Sequence, residues 1–469
     1  MTHVDLTFQE CHIETLRSWL VRPDRREAAA YVLCGQSHIG CDPWDRDARV
    51  RLTTHDVVPI PPEDLVSAGA QHVTWSTASY VRLLRRAKTD NLIPGIVHTH
   101  PYGPPDFSGQ DDNNERDLMQ LARNRNGEEA AVVSVLLHGA DGVRARLWGG
   151  GKVPLPAVSV RSVGRSLTYF DDACPAANVD AFARQALVFG QDLNRRLRTL
   201  RVGIVGCGGT GSATAMLLAR LGVGQMVLFD DDIVEVTNLN RLHGARRSDA
   251  DAMRAKVDVV ADAITGLALG TRVVALRAWV GNPACRDALK SCDVIFGCTD
   301  DHDGRLLLNR LAAFYLIPVL DMGLAIDPAP EGRGVRDLTG RVTVLAPGAP
   351  CLLCRGIVDP VAARDEDLRR NNPKDYERRK REAYVRGGGN PAPAVVTFTT
   401  ATACLAVDEL LQALSSFRGP EGWAWQRARR FDLMQDRKPG AMQDPHCPIC
   451  ATTECWGRGD IDPFLDRAG

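Results

Sequence analysis

A glycine-rich segment, GIVGCGGTGS at residues 203–212, places the strongest constraint on the fold of this 469-residue chain. The segment overlaps an apolar run at 201–205, typical of a buried strand, and leads into a run at 213–221, typical of a helix. Glycines at such a junction permit a tight turn and let backbone N–H groups approach a phosphate at the helix N-terminus. A second apolar strand at 225–229 completes the pattern, which predicts a nucleotide-binding βαβ unit.

The composition and charge of the chain are those of an ordinary globular protein. Hydrophobic residues make up 44% of the sequence and charged residues 25%, and 469 residues suit two or three domains. The net charge of −1 gives no reason to expect nucleic acid or a membrane as a partner. The N-terminus does not read as a signal peptide, and no uncharged apolar run reaches the ~18 residues of a membrane span. We therefore expect a cytoplasmic protein.

The segments before residue 150 alternate between helix-like and strand-like patterns. Turn-rich sequence follows them, which places a linker at 156–177 between a first domain at 1–155 and a second at 178–469. In the first domain we predict helices at 6–20, 77–88 and 112–124 and strands at 28–35, 93–98, 132–138 and 143–148, the last two forming a hairpin.

The second domain continues the βαβ pattern. Apolar runs at 272–276, 294–296 and 319–321 predict further strands. This alternation of strands and helices predicts an α/β domain with a mainly parallel, Rossmann-like sheet. Residues 356–394 are rich in Arg, Asp, Asn, Pro and Gly, so we expect either a mobile crossover loop or a solvated linker there.

Two histidines, His98 and His100, stand at the end of an apolar strand. Alternate residues of a strand point to one face, so both imidazoles can reach one metal ion. Asp111 follows a proline-rich loop and begins a helix, where it can supply a third ligand. Such a set leaves a fourth position for water, as in catalytic zinc sites, and zinc would lower the pKa of that water toward ~7. The alternative is a histidine pair that merely caps a strand.

The longer pattern H-x-H-x7-S-x-x-D, formed by His98, His100, Ser108 and Asp111, resembles the JAMM motif of the JAB/MPN metalloproteases. The resemblance covers roughly residues 1–150. It implies an α+β domain with a cytidine-deaminase-like mixed sheet and a catalytic Zn²⁺.

The same resemblance implies roles for two further side chains. In this family the general base is an upstream glutamate that usually precedes a short apolar strand. Glu27, before AAAYVLCG, fits best, and Glu10 and Glu14 are weaker alternatives. Glu27 would take a proton from the attacking water and pass it to the leaving amine, and Ser108 would help to hold the oxyanion. Such enzymes cut after the C-terminal glycine of a ubiquitin-like domain.

The strand after the glycine segment continues as VLFDDDIVEVTNLNRL, with Asp230 at its end, where a ribose would sit. A glycine segment alone would suggest an NAD-binding fold, but D-x-V-E-x-x-N-L-x-R exceeds what a dehydrogenase requires. The string resembles the ThiF/MoeB family, which includes the adenylating domains of ubiquitin-activating enzymes, and the resemblance covers about residues 178–469. It implies ATP-dependent adenylation of the C-terminal glycine of a ubiquitin-like or sulfur-carrier protein.

The ThiF/MoeB resemblance assigns a role to each residue of the ATP site. Asp230 is expected to bind the ribose and Asp300, in IFGCTDD, to hold Mg²⁺. Attack of a carboxylate on the α-phosphate brings negative charges together, which Arg, Lys and Mg²⁺ offset. The alternatives, without a role in ATP binding, are a surface lysine at 256 and a helix-capping arginine at 241. Phosphate contacts are expected from Gly206, Gly208, Gly209, Gly211, Asn238, Arg241 and Lys256.

Three other positions bear on this site. Arg184 matches an arginine that reaches the active site of the opposite subunit in the family, which implies a homodimer, and a surface arginine is the alternative. The chain departs from the family at Leu242, where glutamine is common, and at Asp301, where asparagine is common. The added carboxylate of Asp301 could alter metal binding.

Two CxxC pairs, Cys351/Cys354 and Cys447/Cys450, offer four thiolates, a closed tetrahedral set suited to structural Zn²⁺. Many ThiF/MoeB members carry such a split site, which supports this interpretation. The competing interpretation is a redox role for a single pair.

The crossover segment lacks the cysteine to which some relatives transfer the adenylated tail, because none occurs between Cys354 and Cys404. We interpret Cys404 as a core residue and Cys207 and Cys298 as packing residues, while Cys455 stays open. The chain is therefore expected to stop at the adenylate and to pass it to an external thiol, a sulfur donor or a conjugating protein.

Together these patterns predict an enzyme that both activates and trims, or removes, a ubiquitin-like protein. Sulfur-carrier activation in cofactor synthesis is the alternative enzyme. A scaffold that binds a ubiquitin-like protein is the alternative from another class, and a dehydrogenase is a distant third.

Overall fold

Two eight-stranded sheets organise the chain. They are seen in a computed structural model that describes residues 2–69, 72–101, 105–151, 153–171, 180–329, 334–381 and 393–467. Within these ranges no helix is both long and apolar enough to cross a membrane.

The first sheet is mixed, as expected. Its strands run in the order β1-β3-β2-β6-β7-β8-β9-β10, and β9 also pairs in parallel with β1. β6 lies antiparallel to β2 and parallel to β7. These strands and a separate β4–β5 hairpin are β1 (His3–Gln9), β2 (Ala29–Ile39), β3 (Arg49–Pro59), β4 (Leu65–Ala68), β5 (Val73–Trp75), β6 (Ile93–His100), β7 (Val132–His138), β8 (Gly142–Trp148), β9 (Leu155–Val163) and β10 (Leu167–Tyr169).

Three helices, α1 (Glu10–Leu20), α2 (Thr77–Asp90) and α3 (Gly109–Asn126), cover this sheet. Alternate residues of β2 divide between two buried clusters: Val32 packs with residues of α1, and Tyr31 packs with residues of α2 and α3. The sheet is therefore buried on both faces.

Two predictions for this region differ from the structure. Residues 6–9 of the predicted helix 6–20 belong to β1, so that prediction is wrong at its start. The reason is that a short apolar run buried on both faces has no distinguishing period. The predicted linker, 156–177, begins with the strands β9 and β10, and residues 172–179 lie outside the described residues. The first sheet thus extends to Tyr169.

The second sheet has the predicted doubly wound core, in the order β13-β12-β11-β14-β15-β16-β17-β18. The strands from β11 to β15 are parallel, and β16 to β18 add antiparallel pairs. The elements are α4 (Ala183–Thr199), β11 (Arg201–Val205), α5 (Gly209–Arg220), β12 (Gln225–Phe229), α6 (Arg247–Asp251), α7 (Lys256–Gly266), β13 (Arg272–Leu276), α8 (Arg286–Ser291), β14 (Val294–Gly297), α9 (His302–Tyr315), β15 (Val319–Pro328), β16 (Val335–Leu345), α10 (Pro360–Asn371), α11 (Pro373–Arg381), α12 (Val396–Ser415), β17 (Gln426–Arg430) and β18 (Gln435–Arg437).

The strand order reverses at β11, which has β12 on one side and β14 on the other. In open α/β sheets such a switch point leaves a crevice at the carboxyl ends of the strands. The glycine segment lies there, because α5 begins at Gly209 directly after β11.

The segment predicted as a crossover loop or linker, 356–394, contains the helices α10 and α11. Residues 382–392 of this segment lie outside the described residues. The two helices were not predicted from the sequence, because polar residues at most positions leave little apolar periodicity to detect.

A network of buried ion pairs joins the two sheets. Asp293, which precedes β14, accepts a hydrogen bond from Arg51 of β3 at 2.7 Å and another from Arg161 of β9. Asp293 also accepts from the backbone N–H of Arg201 at 3.0 Å. Burial alone would raise the pKa of Asp293, but the charges of Arg161, Arg51 and Arg201 outweigh it and lower the pKa to about 2.

The C-terminal tail makes a second junction between the sheets. Thr53 donates to the carbonyl of Gly457 at 3.0 Å, and the N–H of Asp460 donates to Gln36 at 2.8 Å. The N–H of His38 donates to the Asp460 carboxylate at 2.7 Å. The tail therefore lies along β2 and β3 of the first sheet after passing the second.

The Asp293 network leads to a stability prediction. Asp293→Asn keeps the side-chain volume but removes the carboxylate paired with Arg161 and leaves Arg51 with only Asp5 among the described residues, at 3.5 Å. We expect the free energy of unfolding to fall by about 3–5 kcal/mol at neutral pH, measured by urea denaturation. The carboxylate stabilises the fold above its unfolded pKa of ~3.9, so the difference between variant and wild type should shrink as the pH falls toward about 2.

The control is Asp251→Asn, because the pair of Asp251 with Arg247 is exposed on α6. That change should alter the free energy of unfolding by less than about 0.5 kcal/mol. Equal losses in the two variants, or a difference that does not vary with pH, would contradict the ion-pair role of Asp293.

Candidate active sites

His98 and His100 end β6, and both side chains are buried on the same face of the first sheet. The Nε2 atoms of His98 and His100 lie 3.3 and 3.4 Å from the Asp111 carboxylate. His98 Nε2 is buried without a hydrogen-bond partner among the described residues. A tetrahedral ion with ligands at about 2.0–2.1 Å would space its ligand atoms about 3.3–3.4 Å apart. The three side chains can therefore hold one metal ion.

Ser108 and Asp111 fix each other at the start of α3. The Ser108 hydroxyl and backbone N–H both donate to the Asp111 carboxylate at 2.7 Å, and the Asp111 N–H donates to the hydroxyl at 3.2 Å. This capping box aims Asp111 back at the histidines. Burial would raise the pKa of Asp111, but contacts with His100 and His98 outweigh it and hold the pKa well below its usual range. Asp111 is thus a carboxylate ready to bind a cation.

Glu27 lies in the same cavity, of about 310 Å³, as His98, His100, Ser108 and Asp111. Glu27 lies two residues before the start of β2, and its backbone N–H donates to the Gly69 carbonyl at 2.8 Å. Burial raises the pKa of the Glu27 carboxyl, although His100 and His98 oppose this. A raised pKa suits a group that must both accept and release a proton.

The two alternatives to Glu27 lie elsewhere. Glu10 accepts hydrogen bonds from the N–H of Arg165 and the hydroxyl of Ser166 in the turn after β9. Glu14 is exposed on α1. Neither lines the cavity among the described residues.

A buried glutamate that lines this cavity was not predicted from the sequence. Glu115 accepts hydrogen bonds from Ser134, from Arg146 at 2.8 Å and from Trp148 at 2.5 Å. The Arg146 guanidinium lies 3.8 Å from the ring centre of Phe107, which neighbours His98. The spacing of four residues from Asp111 on α3 was the available signal, since it places Glu115 on the same helix face.

The second cavity, of about 660 Å³, lies at the switch point of the second sheet. Eight of the residues predicted to bind ATP or Mg²⁺ line it: Gly206, Gly208, Gly209, Asp230, Asn238, Arg241, Lys256 and Asp300. Gly211 does not, because it packs against the glycine loop, where an added Cβ would come within 1.8 Å of the Gly206 carbonyl oxygen. Gly211 instead allows α5 to pack against the loop.

Charged groups follow β12 at the edge of this cavity. Asp230 accepts hydrogen bonds from the N–H groups of Cys207 at 2.6 Å and Asp232 at 2.9 Å. Lys256, which begins α7, donates to the Asp232 carboxylate at 2.7 Å. Burial alone would lower the pKa of Lys256, but Asp230 and Asp232 outweigh it and raise the pKa. Lys256 therefore carries a firm positive charge beside the glycine loop.

The neighbouring carboxylates Asp300 and Asp301 have different surroundings. Asp300 is exposed in the cavity. Asp301 caps α9 by accepting from the N–H of Gly304 at 2.9 Å, and it also accepts from Trp279 and Arg370. Asp300 is thus the carboxylate of the two that faces a ligand freely.

Three further positions have clear environments. Arg184 is exposed on α4 and is not among the described residues that line this cavity. Leu242 is buried in the core of the second sheet and reaches the cavity edge. Arg241 donates to the Thr237 carbonyl at 2.6 Å from the loop that follows Asp230.

The four paired cysteines converge. Sγ separations are 3.5 Å for Cys351–Cys447, 3.4 Å for Cys354–Cys450 and 3.9 Å for Cys351–Cys354. A tetrahedral ion with Zn–S bonds of about 2.3 Å would space the sulfurs about 3.8 Å apart, whereas disulfide bonding needs about 2.05 Å. A hydrogen bond from Cys450 lowers the pKa of Cys351. The set fits a closed metal site.

The interpretation of Cys404 as a core residue is wrong. Cys404 is exposed on α12, although its neighbours Ala403 and Leu405 are buried. Apolar residues lie on both sides of Cys404 in the sequence, so the pattern did not reveal that this position faces outward. Cys207 is fully buried in the core, and Cys298 packs beside it at the cavity.

Comparisons with known proteins match the two domains that contain these cavities. The sequence model of the ThiF family matches residues 182–450, more than half of the chain. The chain belongs to the ThiF family. A second model, of prokaryotic homologs of the JAB domain, matches residues 10–148, so a JAB-like domain precedes the ThiF domain.

The relatives of the ThiF domain carry names of activating enzymes. The chain is 29% identical over 181 residues to the SAMP-activating enzyme E1 of Haloferax volcanii, covering 38% of this chain and 62% of the relative. Ubiquitin-like modifier-activating enzyme 5 of Oryza sativa is 27% identical, covering 46% and 50%. The sulfur carrier protein ThiS adenylyltransferase of Escherichia coli is 33% identical, covering 30% and 55%. The chain thus spans less than two thirds of the length of each of these relatives.

The glycine loop of the ThiF domain gives a prediction that needs no ligand. Gly211→Ala would place a Cβ against the Gly206 carbonyl, so we expect the free energy of unfolding to fall by about 1–3 kcal/mol. Gly208→Ala meets no described heavy atom within 4 Å and should lose at most about 1 kcal/mol, because alanine is a poorer N-cap of α5 than glycine. Thermal denaturation without nucleotide compares the two, and a Gly208 variant as unstable as the Gly211 variant would refute this account.

Proposed function

We propose that the ThiF domain uses ATP to adenylate the C-terminal glycine of a ubiquitin-like or sulfur-carrier protein, and that the JAB domain is a zinc-dependent peptidase or isopeptidase for the same protein. The convergence of Asp230, Lys256 and Asp300 on the glycine loop is the observation that carries the first half. The His98, His100 and Asp111 set carries the second.

In the adenylation step the tail carboxylate attacks the α-phosphorus of ATP, and the bond to pyrophosphate breaks. Lys256 and Arg241 flank the glycine loop, where they would offset the charge that gathers on the phosphates. Asp230, at the end of β12, would hold the ribose. The backbone N–H groups at the start of α5 would bind phosphate oxygens.

Asp300 is the residue that would hold Mg²⁺, which supplies charge neutralisation on the phosphates when bound. Its exposure in the cavity supports this choice, whereas the Asp301 carboxylate already accepts hydrogen bonds from four groups. The departure from the usual asparagine at 301 therefore leaves the proposed metal ligand unchanged.

In the JAB domain His98, His100 and Asp111 would hold Zn²⁺, which supplies a water of lowered pKa when bound. Glu27 would take the proton from the attacking water and give it to the leaving amine of the cleaved bond. Ser108 is near enough to stabilise an oxyanion, although its hydroxyl also positions Asp111. The Cys351, Cys354, Cys447 and Cys450 set would hold a second, structural Zn²⁺.

A homodimer fits the exposed face of α4. Leu187 and Val188 are 87% and 74% exposed. Large apolar side chains that face outward together are typical of a surface that a partner covers. Arg184 stands one turn before them on the same helix, where a second copy could receive it in its own cavity. This arrangement supports Arg184 as an arginine acting in the opposite subunit.

The reaction is proposed to end at the adenylate. No cysteine occurs between Cys354 and Cys404, and neither Cys404 nor Cys455 lines the nucleotide cavity among the described residues. An external thiol, a sulfur donor or a conjugating protein would then collect the activated tail. Sulfur-carrier activation remains the second candidate, because one relative is named for the sulfur carrier protein ThiS.

Pyrophosphate exchange tests the adenylation half. Purified protein is mixed with ATP, labelled pyrophosphate and small β-grasp proteins that end in Gly-Gly. We expect one of them to support exchange and Asp300→Ala to lower the rate by about 100-fold or more, because a charge-stabilising group is lost.

The matched control is Asp251→Ala, a surface aspartate of the same domain. It should exchange at the wild-type rate. Exchange by Asp300→Ala equal to that of wild type, or no exchange with any candidate, would reject the adenylation half. A protein-bound tail released by reducing agent would reject the endpoint at the adenylate.

Cleavage of a linear fusion tests the JAB half. The substrate is the β-grasp protein that supports pyrophosphate exchange, extended by further residues after its terminal glycine. We expect wild type to cut after the glycine, and Glu27→Gln to lower cleavage by about 100-fold or more because the proton carrier is lost.

Metal analysis separates the role of Glu27 from folding. Glu27→Gln should keep both zinc equivalents, whereas His98→Ala should lose one and Cys447→Ser the other. Glu14→Gln, on exposed α1, should cut like wild type. Full cleavage by His98→Ala, or loss of zinc from Glu27→Gln, would argue against the assigned roles.

A further inference from the structure

Helix α10 forms one wall of the nucleotide cavity. Glu366, Arg369 and Arg370 line the cavity from this helix, facing a wall that contains Trp279 and Asp300. The helix belongs to the segment between the two CxxC pairs. A wall made by one helix contributes to binding only while that helix stays docked.

Arg370 connects α10 to the opposite wall. Its Nη1 atom donates to the Asp303 carboxylate at 2.7 Å, and its Nη2 atom donates to Asp301 at 3.3 Å. Its Cζ atom lies 3.5 Å from the centre of the Trp279 ring, a close cation–π contact. One side chain thus contacts three groups at the start of α9 and in the loop after β13.

These partner groups are themselves held in place. Asp303 is only 1% exposed and also accepts from Arg467, while its N–H donates to Glu366 of α10 at 2.8 Å. Asp301 accepts from the Trp279 indole at 3.2 Å. Arg370 therefore enters a preformed site of two carboxylates and an aromatic ring, and the loss of its charge would leave Asp303 with less compensation in a buried position.

We propose that Arg370 is a positioning residue for ATP binding, which fixes α10 against Asp301, Asp303 and Trp279 as a wall of the cavity. The proposal rests on the ATP-dependent function proposed above. In this proposal the Asp301 carboxylate anchors α10 instead of binding Mg²⁺. The pairing explains why a charged residue suits that position in this chain.

The consequence for binding follows from the docked fraction of α10. If only a fraction of molecules has the wall in place, the apparent dissociation constant for nucleotide rises by the inverse of that fraction. The chemical step itself proceeds at its usual rate in molecules that have bound ATP. Loss of Arg370 should therefore raise the KM for ATP more than it lowers kcat.

The experiment compares Arg370→Ala, Asp301→Asn and their double variant in the full chain. Hydrogen–deuterium exchange measures docking of α10, and titration with α,β-methylene ATP and Mg²⁺ measures nucleotide binding. Arg364→Ala is the matched control, because Arg364 is an exposed arginine of α10 that does not line the cavity. Neither measurement needs the ubiquitin-like or sulfur-carrier protein. Failure of the proposal for Arg370 can therefore be distinguished from failure of the adenylation proposal.

We expect Arg370→Ala and Asp301→Asn each to speed amide exchange in 360–371 and to weaken nucleotide binding by about 10-fold. The double variant should resemble the stronger single variant, since both remove one interaction. Pyrophosphate exchange should show a raised KM for ATP, with kcat changed by less than about 3-fold. Arg364→Ala should match wild type in all measurements.

Two results would overturn the proposal. One is unchanged exchange of α10 in Arg370→Ala. The other is a shift in the Mg²⁺ concentration needed for nucleotide binding in Asp301→Asn that Arg370→Ala does not show, because that pattern would identify Asp301 as a metal ligand.

Discussion

Strand ends that meet at one edge of a sheet place both cavities of this protein. In the first sheet β6 ends beside the start of its antiparallel neighbour β2, and in the second β11, β12 and β14 run side by side in parallel. A strand therefore ends where an antiparallel neighbour begins or a parallel neighbour ends, so the side chains and loops at that edge meet. Helices α3, α5 and α9 also begin at these edges, which adds backbone N–H groups and capping side chains to each cavity. The chemistry of both domains depends on this geometry.

The spacing of residues predicted the parts of each site that local geometry controls. His98 and His100 share a face because a strand alternates its side chains, and this needs no knowledge of the rest of the chain. The glycine loop was predictable for a similar reason, since strand, turn and helix adjoin in the sequence. The convergence of Cys351 with Cys447 was harder, because 96 positions separate them. The repetition of CxxC and the resemblance to ThiF/MoeB members suggested that one ion joins the two pairs.

The sequence was less informative wherever a residue's role depends on distant partners. The added carboxylate of Asp301 suggested altered metal binding, but Trp279 and Arg370 contact it from positions 22 and 69 residues away. Glu115 accepts hydrogen bonds from an arginine and a tryptophan on β8, and its spacing from Asp111 on α3 gives its helix face but not these partners. The outward position of Cys404 depends on which faces of α12 the two sheets leave uncovered. These are tertiary effects, and spacing along the chain contains little trace of them.

The C-terminal tail has a consequence for how the gene could be divided. Every residue assigned to either reaction lies before residue 451, so a fragment ending there would keep both sets of catalytic groups. It would nevertheless lose Gly457 and Asp460, whose contacts with Thr53, Gln36 and His38 return the end of the chain to its beginning. The two domains follow each other along the sequence, but the tail after the second domain contacts the first domain again. Separating the JAB-like domain from the ThiF domain would therefore break contacts of the tail, which lies outside both family models.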